Sequence, residues 1–173
     1  TSPKGFVSKS SPFGTVERPF IPAELVLGAR GTFFARTLDK VRPGGVIAFI
    51  TSKGTMDKDN LSVRKYIAQR AELLGAIRLP NDPFKAAAGT EVTSDILFLQ
   101  KRDSMTDIMP DWVYLGTDRT GLKMNQYFID HPNMVLGKMK EVMGAHGQET
   151  ACVPKPDQNL QELLSTAVSN IQG

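Results

Sequence analysis

Lys53, Lys58, Arg64 and Lys65 gather directly after the apolar run Val46 to Thr51. Cations placed there suit phosphate, because open α/β sheets take up ligands at the carboxyl ends of their strands. The same residues also suit a solvated loop and the outer face of a helix. Lys53 and Lys58 are the candidates for phosphate, while Arg64, Lys65 and Arg70 are assigned to the surface. Further on, "NDPFKAAAGTE", Asn81 to Glu91, offers Phe84 to stack on a base and Lys85 to meet a phosphate, with anchoring in the core as the other reading of Phe84. Glu91 and Asp95 resemble a carboxylate pair in type only, since no nucleophile, base or metal cluster accompanies them. With one cysteine, Cys152, there is no intrachain disulfide, and His131 and His146 add no zinc ligand set. His131, before Pro132, reads as a turn residue and Cys152 as packing.

The elements that must position these residues follow from periodicity. From Thr32, the residues Phe34, Leu38 and Val41 recur at helical spacing, and Pro43, Gly44 and Gly45 forbid continuation. Val46 to Thr51 lack polar alternation, which predicts a strand buried on both faces at the centre of a parallel sheet. Val63, Ile67, Ala71 and Leu74 predict a second helix, capped by Asn60 and ended by Gly75, and Ala76 to Leu79 a second strand. Strand, helix and strand form a right-handed βαβ unit with parallel strands. Ser94 to Lys101 is a further strand, too close behind to be parallel, and so is placed antiparallel at an edge.

Beyond it, Trp112 to Leu115 and Ala151 to Val153 read as short strands and Asn125 to Ile129 as a brief helix, with Tyr127 and Phe128 in the core. Leu160, Leu163, Leu164, Ala167, Val168 and Ile171 mark a final amphipathic helix whose stripe needs a partner surface, in this chain or another. The expected divisions are a loop-rich segment at 1–31, an α/β core at 32–102 and an extension at 103–173.

The chain has 173 residues, a formal charge of +3 and a sequence pI of about 9.0, a balance that permits contact with nucleic acid without requiring it. No apolar stretch reaches the ~20 residues that span a bilayer, and the N-terminus lacks the order of a signal peptide. The expectation is a soluble, cytoplasmic protein with no membrane partner.

With the order of elements in hand, "FFARTLDKVRPGGVIAFITSKGTMDKDNLSVRKYIAQRAELLGAIRLPNDPFKAAAGTEVTSDILFLQKR", Phe33 to Arg102, closely resembles adenine-specific DNA methyltransferases of the amino class. The nearest branch is the one carried in large phage, plasmid and conjugative-element polypeptides with helicase-like regions. "YFIDHPNMVLG", Tyr127 to Gly137, is similar to a later segment of that branch. The resemblance implies a partial Rossmann-like methyltransferase sheet in an α/β fold, mostly parallel with an antiparallel edge strand and helices on both faces. Lys40 to Thr51 would then be the helix and strand that follow the catalytic loop.

The family's catalytic tetrapeptide, Asn or Asp followed by a variable residue, Pro and an aromatic, corresponds here to Ser10, Ser11, Pro12 and Phe13. By that resemblance Ser10, Pro12 and Phe13 belong to the catalytic motif, in which a side-chain oxygen and a backbone carbonyl accept the hydrogens of the adenine amine and the aromatic stacks on the extruded base. Ser10 departs from the pattern, being shorter than Asn. The methyl donor, S-adenosylmethionine, would need a glycine turn after a preceding strand. "GARG", Gly28 to Gly31, has no such strand before it.

The chain therefore reads as the C-terminal portion of an S-adenosylmethionine-dependent DNA adenine-N6 methyltransferase of a restriction-modification or mobile-element system. It is expected to bind no cofactor by itself and to be inactive alone. Its expected partners are DNA and either the missing N-terminal half or a second copy of itself. The other reading is a non-catalytic DNA-binding or assembly module derived from that fold.

Overall fold

A computed structural model of the chain describes residues 23–81, 93–144 and 147–171, with backbone alone over 23–30. Helix α1 runs Ala23–Lys40, beginning well before Thr32. It buries Phe34 and Leu38, and Phe34 meets Phe49 edge to face at 4.8 Å. Its end is tied to the sheet. Lys101 Nζ donates to the Leu38 carbonyl at 2.5 Å, a cation where the helix leaves carbonyls unpaired. Gly44, at φ +80°, turns the chain so that its N–H donates to the Lys101 carbonyl at 2.8 Å. Only glycine takes that φ without strain.

Strands β1 (Val46–Ser52), β2 (Ala71–Leu79) and β3 (Ser94–Lys101) form a sheet in the order β1-β3-β2, and both pairings are antiparallel. This overturns the Rossmann-like, mostly parallel sheet expected from the sequence. Antiparallel β3 lies between the other two strands and not at an edge, so β1 and β2 run the same way without pairing. Two further antiparallel two-stranded sheets make up the rest, and the described strands form no parallel sheet.

The physical reason lies in which strand most needs neighbours. β3 carries Ile96, Leu97, Phe98 and Leu99 in unbroken succession, with Leu97 and Leu99 fully buried, and pairing on both sides covers it. β1 has a similar composition yet lies at the margin of this sheet. Ile47 and Phe49 turn inward, whereas Val46 is 59% and Ile50 75% exposed on the alternate face. The expectation of a central, doubly buried β1 is therefore also corrected.

The loop after β1 contains a single helical turn, α2 (Gly54–Asp57), and α3 spans Ser62–Arg70. Asn60 accepts from the Ser62 N–H at 2.9 Å, as a helix-start residue should. The helix stops short of Gly75, because Ala71 and Leu74 join β2. Their helical spacing gave way to a ladder with β3 that runs from Ala71 to Leu79 and is interrupted by an irregularity between Leu73 and Gly75. A Cβ on Gly75 would lie 2.7 Å from Cγ1 of Ile171.

After β3, Asp111–Val113 is a 3-10 turn that buries Trp112 and Val113, where a strand was expected. Strands β4 (Leu115–Thr117) and β5 (Lys123–Asn125) form a short hairpin leading into α4 (Gln126–Asp130), which Asn125 caps by accepting from the Tyr127 N–H at 2.9 Å. Strands β6 (Lys138–Gly144) and β7 (Gly147–Val153) pair throughout. Helix α5 (Leu160–Ser169) finds its partner surface within this chain. Ala167 is buried, and Leu163, Leu164 and Ile171 pack on a single core that joins Phe34, Leu38, Ile67, Leu97, Trp112 and Phe128.

Candidate functional site

The carboxyl ends of β1 and β2 meet the start of β3, and charge is concentrated there. Arg78 on β2 stands directly opposite Asp95 on β3 in the ladder. Its Nε donates to Asp95 Oδ1 at 2.8 Å and its Nη2 to Asp95 Oδ2 at 2.9 Å. The other side of the guanidinium holds Asp57 of α2, Nη1 to Oδ2 at 2.8 Å and Nη2 to Oδ1 at 3.0 Å. Arg78 and Asp95 are wholly buried, and the Arg78 Cζ lies 4.4 Å from the centroid of the Phe128 ring. Burial opposes charge on the guanidinium, but the hydrogen bonds and charges of Asp95 and Asp57 outweigh it and raise its pKa above the ordinary arginine value. Arg78 thus stays charged wherever the protein is folded.

Arg64, assigned to the surface from sequence, is instead 1% exposed. Nε donates to the Val113 carbonyl at 2.7 Å, Nη1 to that of Thr55 at 3.1 Å and Nη2 to that of Lys58 at 2.6 Å. Desolvation lowers its pKa, with Asp57 and Asp59 opposing. Asn125 completes the frame. Its N–H donates to Asp57 Oδ1 at 3.0 Å, and its Nδ2 donates to the carbonyls of Met56 at 2.7 Å and Trp112 at 2.8 Å.

At the rim, the Thr93 hydroxyl donates to Asn81 Oδ1 at 2.5 Å and accepts from the Cys152 N–H at 3.0 Å, while the Asn81 N–H donates to the Cys152 carbonyl at 2.7 Å. These bonds hold the β6–β7 hairpin against the end of the sheet. They also fix both residues that flank 82–92. Phe84, Lys85 and Glu91 lie in that segment, outside the described residues, as do Ser10, Pro12 and Phe13.

Of the sequence candidates that are described, Lys53 Nζ donates to the Thr150 hydroxyl of β7 at 3.2 Å, so it stands at this rim half-buried. Lys58 is exposed and gives its carbonyl to Arg64. Lys65 is exposed, and Arg70 lies 3.5 Å over the Tyr66 ring. Asp95, passed over as half of a carboxylate pair, is bound to Arg78. A signal for that pairing was present: each of two short apolar strands carries one buried charge, of opposite sign, at positions that antiparallel pairing sets face to face.

Chemically this is a closed frame. No buried side-chain nitrogen or oxygen among the described residues lacks a partner, and no group of three or more His, Cys, Asp or Glu is placed to hold a metal ion. Within this frame the donors and acceptors are therefore committed to the protein's own groups. What the frame does is join α2, β2, β3 and the β4–β5 hairpin beneath the rim. No helix among the described residues is long and apolar enough to cross a membrane.

Over 70 residues, 40% of this chain, the sequence is 36% identical to "Defense against restriction protein B" of Escherichia phage P1. Over 44 residues, 25% of the chain, it is 50% identical to 2-oxoglutarate oxidoreductase subunit KorB of Mycobacterium tuberculosis (strain ATCC 25618 / H37Rv). The matched segments span 3% and 12% of those two proteins. No family model matches the chain, and no solved structure matches it.

Proposed function

We propose that the chain is the C-terminal portion of an S-adenosylmethionine-dependent DNA adenine-N6 methyltransferase, contributing the target-base loop and part of the DNA-facing surface and inactive by itself. The reading is supported by the resemblance of Phe33 to Arg102 and of Tyr127 to Gly137 to that family. It is also supported by the likeness to a phage protein named for defence against restriction. One structural observation carries the claim that this is part of a larger assembly. β1 has the apolar composition of an interior strand but pairs only with β3 among the described residues and exposes Val46 and Ile50. A strand so built has room for a neighbour on its other edge.

On this reading the closed Arg78 frame supports the rim at which Lys53 stands, Phe84 and Lys85 contribute to contact with DNA together with Lys53 and Lys58, and the methyl donor is held by residues outside the described chain. The Ser10 hydroxyl, shorter than the family's amide, favours a second reading as a non-catalytic DNA-binding or assembly module.

The test uses the polypeptide encoded by the entire reading frame, and this chain alone, with unmethylated duplex DNA and radiolabelled S-adenosylmethionine. Methyl groups should appear on adenine N6 with the entire polypeptide only, and calorimetry should show no binding of the donor by this chain alone. Donor binding by this chain alone would overturn the reading. Binding of donor and DNA by the entire polypeptide without methyl transfer would select the module.

A further inference from the structure

A groove of about 480 Å³ opens between the β4–β5 turn, the segment after α4 and the β6–β7 hairpin. Phe128, whose ring lies against Arg78, is the one residue it shares with the site described above. Its edges carry Arg119, Lys138 and Lys155, all exposed and in no ion pair within the described structure. One carboxylate, Asp118, also lines it, and its Oδ1 is turned into its own loop. That oxygen accepts from the Thr120 N–H at 2.8 Å, the Thr120 hydroxyl at 2.7 Å and the Leu122 N–H at 2.9 Å. Between the charges the surface is apolar, with exposed Pro132 and half-buried Ile129, Val135 and Met139 over a buried floor of Met124 and Phe128.

We infer that this groove binds single-stranded DNA, its phosphates met by Arg119, Lys138 and Lys155 and a base or sugar face laid on Pro132, Val135 and Met139. The inference rests on the proposed role in DNA and names a surface for it. Three cations against one committed carboxylate select a polyanion. Apolar side chains between them select a polyanion that presents flat unpaired rings, and a duplex hides those rings in its stack.

Fluorescence anisotropy tests this with a labelled oligodeoxynucleotide, presented single-stranded or as a duplex of the same sequence, across a salt series. The single strand should bind more tightly than the duplex. Each phosphate neutralised on a single strand contributes roughly 0.7 to the slope of log Kd against log salt, so a variant carrying Arg119→Gln, Lys138→Gln and Lys155→Gln should lose about 2 from that slope. A control carrying Lys40→Gln and Lys65→Gln, both exposed on α1 and α3, should keep the wild-type slope. An unchanged thermal midpoint in both variants shows that they fold. Binding with an unaltered slope in the triple variant, or equal affinity for the duplex, would overturn the groove while leaving a DNA role in place. Failure of the wild type to bind either DNA would overturn it too, and methyl transfer by the entire polypeptide reports separately on the enzyme reading.

Discussion

Arg78 and Asp95 face each other across the β2–β3 ladder through two parallel hydrogen bonds of 2.8 and 2.9 Å, at a place neither shares with solvent. Asp57 closes the opposite side of the same guanidinium, so one side chain joins a helical turn to two strands. Removing the cation strands two carboxylates in the interior. Arg78→Met is expected to cost about 3–5 kcal/mol, since breaking a buried pair leaves an uncompensated charge. Urea unfolding midpoints measure this, and a loss below about 1 kcal/mol would refute the reading.

Arg64 tests geometry more than charge. Its three donors reach three backbone carbonyls in different segments, and a lysine ammonium on a flexible stem cannot span them. Arg64→Lys should destabilise by about 1–3 kcal/mol, the cost of buried carbonyls left without donors. Lys65→Gln, one residue away and exposed, should stay within about 0.5 kcal/mol. Thermal melts of the two variants give the comparison, and equal shifts would contradict the assignment.

Ile50 is 75% exposed on a strand whose outer edge takes no partner among the described residues. Such an edge recruits other chains, and a charge on it discourages that. Ile50→Lys should reduce self-association of this chain in light scattering without lowering its melting temperature. If the wild type is monomeric at high concentration and the variant unfolds, the edge is not an open one.

Cys152 is fully buried, and burial pushes its thiol up to about 11. The folded value lies above the unfolded one, so the unfolded chain loses its proton first as pH rises. This contribution to stability is full below the ordinary thiol value and is lost as pH climbs through about 11. Native alkylation at pH 8 should therefore be far slower than in urea. Equal rates in the two conditions would show that the thiol is accessible.

The features legible in the sequence were those set by neighbours along the chain. The PGG turn, the apolar span of β1, a place for Asn60 at the start of α3, the antiparallel sense of β3 and the α5 stripe were readable from the local sequence. Arg64 was misread because its face of α3 looks like an ordinary charged helix surface. Only the positions of Val113, Thr55 and Lys58 make it interior.

Periodicity and turn chemistry therefore determined the PGG bend and the type of α1, β1, β3 and α5, because those preferences act within a few residues, but not the end of α3 at Arg70 or the 3-10 turn at Asp111–Val113. Tertiary structure alone decided that β3 lies between β1 and β2, that β1 stands at the sheet margin, and that Arg78, Asp57 and Asp95 share one buried site. Sheet order and buried charge pairing are settled by competition for burial among segments remote in sequence. An apolar strand carries the same composition whether it wins the centre of a sheet or is left at its edge.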